Sequence, residues 1–260
     1  MLSNYCKEYR IDDHIRLTII EIESLDQELE RILDGSFVSI CEGESDTPLS
    51  TVKRRVSSLF STKSVDWIMG ATAEFFVHLY IRFNGYKQEC LYLNLEENSI
   101  KKGFDGYYSN SGNEWIMESK AGAIKSAHVS HSNKVALAMR DLESKVAGKD
   151  TKNGNKQNNP WQEAYSHASQ IDVGAAESIR KNIKKLANEY TEGLFHKIEE
   201  FNTMPCGTVF LDGTWLPYDH SKIKHNIVDL KAVLKGKNVH VICVTQISTK
   251  LFQEYVQKGV

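Results

Sequence analysis

The stretch Gly-Phe-Asp-Gly-Tyr-Tyr-Ser-Asn-Ser-Gly-Asn-Glu-Trp-Ile-Met-Glu-Ser-Lys-Ala, residues 103–121, carries the clearest signals for both fold and chemistry. Residues 104–108 and 115–121 have the aromatic and apolar character of short strands. Residues 109–113, Ser-Asn-Ser-Gly-Asn, form a strong turn signal between them. The stretch is therefore predicted to be a β-hairpin.

The flanking segments predict helices on both sides of this hairpin. Ser64 is suited to cap a helix that ends near Gly85, and the apolar residues of this helix lie almost all around it, so it is expected to be buried. Residues 89–95 are predicted to form a strand that is followed by a polar turn at 96–102. After the hairpin, residues 130–146 predict a second helix.

The remaining segments complete an α/β pattern. Strands are predicted at 15–22, 207–211 and 238–246, and helices at 175–201 and 250–257. A further helix is predicted to start at Ser24 and stop at Gly35, ahead of an acidic loop at 43–50, and residues 148–160 are a candidate flexible loop. We expect one central mixed sheet flanked by helices.

Composition narrows the classes of protein that the chain can belong to. The net charge is −2, so a nucleic-acid-binding protein of this sequence must concentrate its positive charge locally, and the candidates are residues 145–156, 180–185 and 222–237. Solvated lysines are the alternative explanation for each segment. No apolar run is long enough for a membrane span, and the N-terminus lacks a signal-peptide pattern. The five cysteines are far apart and form no CxxC pair, which favours a reducing cytoplasm.

Asp105, Glu118 and Lys120 are the candidate catalytic residues. A divalent cation such as Mg²⁺ prefers oxygen ligands, and an Asp on one strand can meet a Glu on the partner strand at such an ion. Alternate residues of a strand share a face, so Lys120 points the same way as Glu118 and can orient or help deprotonate a water molecule. The alternative is a partly exposed strand with an incidental ion pair.

The predicted structural context, and not the acidic-x-Lys tripeptide itself, distinguishes Glu118/Lys120 from the other occurrences of this pattern. The acidic-x-Lys pattern also occurs on a predicted helix, in the polar loop and near a predicted turn, at Glu143/Lys145, Asp150/Lys152 and Asp229/Lys231. Glu118/Lys120 alone lies in an apolar strand with an acidic residue on the preceding strand. Glu74 interrupts an otherwise apolar helix and is a further candidate ligand for a metal or water, although a structural ion pair or hydrogen bond explains it equally well.

Three motifs of the sequence together resemble the core of PD-(D/E)xK nucleases. They are Gly70-x-x-x-Glu74, Gly103-Phe104-Asp105-Gly106 and Glu118-Ser119-Lys120. More narrowly, they resemble the HamA family of nuclease subunits from Hachiman anti-phage defence systems. The similarity covers about residues 64–146 and more loosely 239–255, and no Pro precedes Asp105.

The resemblance implies a restriction-endonuclease-like core within residues 64–260 and a cytoplasmic, Mg²⁺- or Mn²⁺-dependent deoxyribonuclease. Asp105 and Glu118 would bind the metal, while Lys120 and Glu74 would complete the catalytic set. It also implies that a HamB-like helicase restrains the nuclease. Residues 1–63 and the segments after Gly148 are the candidate docking surfaces, because the nuclease core does not need them for its chemistry. The alternatives are a nuclease of the same fold in restriction or repair, and a catalytically idle subunit that docks a helicase.

Overall fold

A seven-stranded mixed sheet forms the centre of the protein. The computed structural model describes residues 2–93, 103–152 and 156–259. Within them the strands are β1 (Cys6–Arg10), β2 (Ile15–Ile22), β3 (Lys87–Gln88), β4 (Gly106–Asn110), β5 (Asn113–Ala123), β6 (Thr151–Lys152), β7 (Lys156–Gln157), β8 (Asn202–Phe210) and β9 (Val239–Gln246). The main sheet has the order β1-β2-β9-β8-β5-β4-β3, and β6 and β7 form a separate short hairpin.

The middle of the sheet is parallel and its two edges are antiparallel. Strands β2, β9, β8 and β5 run in the same direction, whereas β1 pairs antiparallel with β2 at one edge. At the other edge β4 pairs antiparallel with both β5 and β3. Strands β8 and β9 are buried at every position, as expected for parallel strands that are covered on both faces.

Helices cover both faces of the sheet. In the described part of the chain they are α1 (Gln27–Glu42), α2 (Leu49–Ser61), α3 (Val65–Phe83), α4 (His131–Val146), α5 (Pro160–Ala168), α6 (Glu177–Thr191), α7 (His220–Asp229) and α8 (Lys250–Gln257). None of them is both long and apolar enough to cross a membrane.

Strand β5 illustrates how the two faces divide the core. Met117 packs in the same cluster as Phe75 of α3 and Phe252 of α8. Ile116, its neighbour in the strand, packs with Met139 of α4 and Trp161 of α5 on the opposite face. This alternation follows from the two-residue period of a strand. Glu118 and Lys120 therefore lie on the face that α4 covers.

Several predicted elements are confirmed. The strand at 15–22 and the helix at 250–257 have the predicted bounds. Ser64 caps α3 as predicted, and the helix predicted at 130–146 is α4, which the side chain of Ser130 caps. The turn of the hairpin falls at residues 111–112, inside the predicted 109–113. The strands at 207–211 and 238–246 appear as β8 and β9, and the first begins earlier than predicted.

The predicted helix from Ser24 to Gly35 is wrong at both ends. Asp26 is the cap, because its carboxylate accepts a hydrogen bond from the Leu29 amide at 2.8 Å. Helix α1 then passes through Gly35 and ends before Gly43, whose φ of 74° is the conformation that stops a helix. The predicted acidic loop is shorter than 43–50, because α2 already begins at Leu49.

Other boundaries also need correction. The strand predicted at 89–95 is wrong over its described part, 89–93, and the short strand β3 lies just before it at Lys87–Gln88. The backbone then turns towards α1, where the Tyr92 amide donates to the Ile40 carbonyl at 3.0 Å. Residues 94–102, which include the predicted turn, lie outside the described residues. The strand predicted at 104–108 begins two residues later, at Gly106. The predicted loop at 148–160 contains β6 and β7, with residues 153–155 outside the described part.

The helix predicted at 175–201 is shorter than expected. Helix α6 ends at Thr191, since Gly193 adopts a φ of 78° just beyond it. Strand β1 and helices α2, α5 and α7 have no counterpart in the sequence-based prediction. Both β1 and β2 belong to the same sheet as the hairpin, so the first 22 residues help to build the main core.

Gly35 offers a test of the corrected α1. An added Cβ there meets nothing within 4 Å, and the residue lies inside a helix, so Gly35→Ala should stabilise the protein by about 0.5–1 kcal/mol. Gly207→Ala is the contrasting variant, because its Cβ would lie 2.7 Å from the His131 carbonyl oxygen of α4 and should destabilise by roughly 1–3 kcal/mol. Urea denaturation measures both. A loss of stability in Gly35→Ala would contradict the continuous helix.

Candidate active site

Asp105 lies at the point where the hairpin opens. It directly precedes β4, and Gly106 is the last β4 residue paired with β5, opposite Met117. The Asp105 carboxylate accepts a hydrogen bond from the Ser119 amide at 2.8 Å. A side chain at position 106 would come within 2.6 Å of the Tyr108 ring, so only glycine allows this close turn into the strand. Asp105 is thereby fixed beside residues 118 and 119 of β5.

Glu118 lies in β5 beneath α4 and is 2% exposed. One of its carboxylate oxygens, Oε1, accepts a hydrogen bond from Lys120 Nζ at 2.9 Å. The other, Oε2, accepts one from Lys145 Nζ at 2.5 Å. A buried carboxylate is tolerated when charged partners of this kind compensate for its loss of water.

Lys120 connects Glu118 to helix α4. Its ammonium group is 2.6 Å from Asp141 Oδ2 as well as 2.9 Å from Glu118 Oε1. The Lys120 side chain is 30% exposed and that of Asp141 is 45% exposed, so this end of the site is open to solvent. A substrate approaching from solvent would meet Lys120 before the buried Glu118.

Lys145 is a member of the site that the sequence-based reasoning did not select. Glu143 and Lys145 share the acidic-x-Lys pattern, but side chains two positions apart lie on different faces of a helix. The structure agrees with this, because Glu143 pairs with Lys235 at 2.7 Å, away from Lys145. The same periodicity contains the missed signal, since Lys145 follows the buried Leu142 by three residues and must lie near the face that packs on the sheet.

The charges in this cluster shift the pKa values in opposite directions. Burial raises the pKa of Asp105 to about 7, and the neighbouring Glu118 and Glu74 add to the effect more than the two lysines reduce it. Burial would also raise the pKa of Glu118, but the Lys145 and Lys120 ammonium groups outweigh it and lower that pKa below its usual value. Glu118 is therefore the ionised carboxylate of the pair.

Both lysines remain positively charged in this arrangement. Burial would lower the pKa of Lys120, but the carboxylates of Glu118 and Asp105 raise it above its usual value. The pKa of Lys145 is raised for the same reason, against the effect of its burial. In this arrangement the ammonium groups are therefore hydrogen-bond donors and positive charges.

Glu74 contributes charge to the site from α3. It is 5% exposed, and its carboxylate lies 3.2 Å from Nε2 of His78, one helical turn along. Nδ1 of His78 is in turn hydrogen-bonded to the hydroxyl of Tyr108 in β4. Glu74 is thus part of a buried polar chain, and its negative charge also reaches Asp105. The structure places it near the other candidates but gives it a hydrogen-bonding role through His78.

The donor set is compatible with a hard divalent cation. Among the described residues, no three or more His, Cys, Asp or Glu side chains form a ready-made metal cage. Mg²⁺ does not need one, because it commonly uses one or two carboxylates and fills its other positions with water and substrate oxygens. The negative charges of Glu118 and Glu74 oppose ionisation of Asp105, and a cation bound beside Asp105 would neutralise this repulsion.

The lysines of the three predicted basic segments differ in their exposure and in their ion-pair partners. These segments are 145–156, 180–185 and 222–237. Lys145 points into the site, and side chains 151–157 are outside the described set. On α6, Lys181, Lys184 and Lys185 are exposed, with Lys181 paired to Glu177 at 2.6 Å. In the third segment Lys231 pairs with Asp12 at 2.9 Å, so the fourth acidic-x-Lys tripeptide, Asp229/Lys231, lies away from the hairpin.

Comparison with known proteins does not assign the chain: no family model matches it, and no curated protein matches it either.

Asp105→Asn should stabilise the protein at alkaline pH when divalent cations are absent. The pKa of Asp105 is about 7 in the folded protein and 3.8 for an ordinary Asp, so ionisation of Asp105 destabilises the folded state. This destabilisation is absent below pH 4, grows between pH 4 and pH 7, and is complete above pH 7. Removing the charge should therefore raise the free energy of unfolding at pH 8.5 by at most about 4 kcal/mol, with progressively less gain towards pH 4.

Urea denaturation in EDTA at pH 5, 7 and 8.5 measures this dependence. Asp229→Asn is the control, since the Asp229 side chain is 62% exposed, and it should show no comparable change with pH. A stability difference between Asp105→Asn and the wild type that stays constant across this range would contradict the assigned environment of Asp105.

Proposed function

We propose that the protein is a Mg²⁺- or Mn²⁺-dependent DNA endonuclease of the PD-(D/E)xK type. The observation that carries the proposal is the buried pair Asp105 and Glu118 at the opening of the β4–β5 hairpin, with Lys120 on the same face as Glu118. Hydrolysis of a phosphodiester requires a bound cation, a positioned water and neutralisation of charge at the phosphate, and these residues are suited to those tasks.

Each residue has a distinct part in this proposal. Asp105 and Glu118 would hold the cation, which when bound activates water and neutralises charge on the phosphate. Lys120, fixed between Glu118 and Asp141, presents a permanent positive charge at the open end of the site. Lys120 would orient the water or help deprotonate it, and its positive charge would stabilise negative charge on the phosphate.

The setting of this activity is the second part of the proposal. The resemblance to HamA-family nucleases favours an effector of anti-phage defence that is restrained and delivered to DNA by a helicase partner. The net charge of −2 agrees with delivery by another protein, since phosphate contacts supply most non-specific affinity for DNA. The complete set of Asp105, Glu118 and Lys120 favours an enzyme over an idle docking subunit, and a nuclease in restriction or repair is the remaining alternative.

Glu118→Gln and Lys120→Met should each lower Mg²⁺-dependent cleavage of plasmid DNA by at least about 100-fold, which is the scale of losing one preorganised catalytic group. EDTA should abolish the activity of the wild type. Both variants remove a charge from a buried cluster, so circular dichroism and urea denaturation must show that each is folded. Asp229→Asn and Lys231→Met change a matching acidic-x-Lys pair away from the site and should cleave as the wild type does.

The same assay separates the alternatives when it is run with and without any helicase that is co-encoded with this chain. Restraint predicts low cleavage by the complex until DNA engages the helicase. Full cleavage by folded Glu118→Gln would refute the proposed centre. Absence of cleavage under every condition would instead favour the idle docking subunit.

A further inference from the structure

The two ammonium groups bound to Glu118 already supply as much positive charge as a divalent cation would bring. Its two carboxylate oxygens accept hydrogen bonds from two different ammonium groups, those of Lys120 and Lys145. Each group donates to a different oxygen, at 2.9 Å and 2.5 Å respectively. A cation that binds Glu118 must approach these charges closely or replace one of them.

The two lysines are not equivalent in this respect. Lys120 is anchored a second time by Asp141 and lies at the solvent-facing end of the site. Among the described residues, Lys145 makes its ion pair with Glu118 alone, and its side chain is only 13% exposed. The Lys145 ammonium is also the closer of the two to Glu118, at 2.5 Å from Oε2, whereas that of Lys120 is 2.9 Å from Oε1. Of the two, Lys145 therefore occupies the position most in conflict with a cation.

The helix that carries Lys145 cannot easily retreat from the sheet. Helix α4 packs directly on β8, where a Cβ at Gly207 would lie 2.7 Å from the His131 carbonyl oxygen. Near Lys145, Leu142 and Val146 of α4 are fully buried in the core cluster that α4 shares with β5. The backbone of α4 is thus fixed over β5, whereas the side chain of Lys145 has four rotatable bonds. Any exchange at Glu118 must therefore occur by movement of the side chain.

We propose that Lys145 is the resident counter-ion of Glu118 and that a divalent cation must displace its ammonium group before the site becomes active. This inference rests on the proposed nuclease function and assigns a role that the nuclease proposal does not need. The ammonium keeps Glu118 ionised and paired in the resting protein, and at the same time it weakens cation binding by repulsion and competition.

Displacement gives Lys145 a second role. Once it leaves Glu118, the ammonium remains tethered to α4 beside the cation, where phosphodiester oxygens of the substrate are the natural anions for it to contact. Lys145 would then stabilise charge on the phosphate. The site would load its cation weakly on its own and more strongly with substrate present, which limits activity in the resting state.

Isothermal titration of EDTA-dialysed protein with Mn²⁺ alone tests the exchange. Lys145→Met removes the charge and keeps much of the side chain, and it should bind Mn²⁺ at least about tenfold more tightly than the wild type, given the repulsion between charges a few ångströms apart. The same variant should cleave DNA at least about tenfold more slowly. Lys145→Arg keeps the charge and should show no gain in Mn²⁺ affinity.

Lys235→Met is the matched control. Lys235 also pairs with a glutamate of α4, Glu143, but lies outside the site, so both Mn²⁺ affinity and cleavage should match those of the wild type. Tighter binding combined with slower cleavage in Lys145→Met is the expected signature. A purely structural lysine would instead weaken both properties together. Equal or weaker Mn²⁺ binding by Lys145→Met would overturn the exchange.

Folding of the variants is itself informative. If Lys145→Met is unstable in EDTA, Mn²⁺ should restore its stability, since the cation is expected to take over the role of the ammonium. Failure of Mn²⁺ to do so would count against the proposal. When the wild type binds Mn²⁺ through Glu118 and cleaves DNA but Lys145→Met binds no more tightly, the exchange alone fails. When no variant binds Mn²⁺ or cleaves DNA, the nuclease proposal fails with it.

Discussion

The pairing of Glu118 with two lysines is the interaction on which the site depends. One lysine comes from the same strand and the other from α4, so the carboxylate ties the sheet to the helix that covers it. This pairing requires α4 to lie directly on β5 and β8, which the glycine at 207 permits. It also requires the hairpin register that brings Asp105 next to Glu118. Fold and site are therefore determined by the same contacts.

Buried charge of this kind is poor evidence for stability as such. Replacing a buried ion pair with apolar residues is often neutral or stabilising, because the pair must recover the free energy lost on leaving water. Asp105 adds to that cost, since its pKa is raised by burial and by neighbouring carboxylates. Clusters of charged side chains with displaced pKa values are typical of catalytic sites, where the chemistry and not the folding requires them. That reasoning is the physical basis of the nuclease proposal.

Local signals explain how far the sequence predicted this structure. The hairpin, the caps at Ser64 and Ser130 and the helix α8 follow from contacts within a few residues, and all are present. Gly35 was misjudged because a glycine only weakly disfavours a helix, and burial of Leu29, Leu33 and Phe37 on the core outweighs that cost. The start of helix α2 was also not predicted, because the predicted acidic loop at 43–50 overlaps its first residues.

The site shows the same division between local and long-range information. Asp105, Glu118 and Lys120 were identified from strand alternation and hairpin pairing, which act over short distances in sequence. Helix periodicity places Lys145 near the face of α4 that packs on the sheet, but it does not specify that this lysine reaches a strand residue 27 positions earlier. Glu74 was identified as buried, but its hydrogen bond to His78 emerged only from the helix geometry.

Asp105 and Glu118 are proposed to bind one divalent cation together. The most direct measurement is the anomalous scattering of Mn²⁺ in crystals of the protein grown with the metal. The account predicts an anomalous peak about 2.1–2.2 Å from a carboxylate oxygen of each residue, with Lys145 Nζ moved away from Glu118. Crystals saturated with Mn²⁺ that show no peak between the two carboxylates, and Lys145 still bound to Glu118, would contradict it.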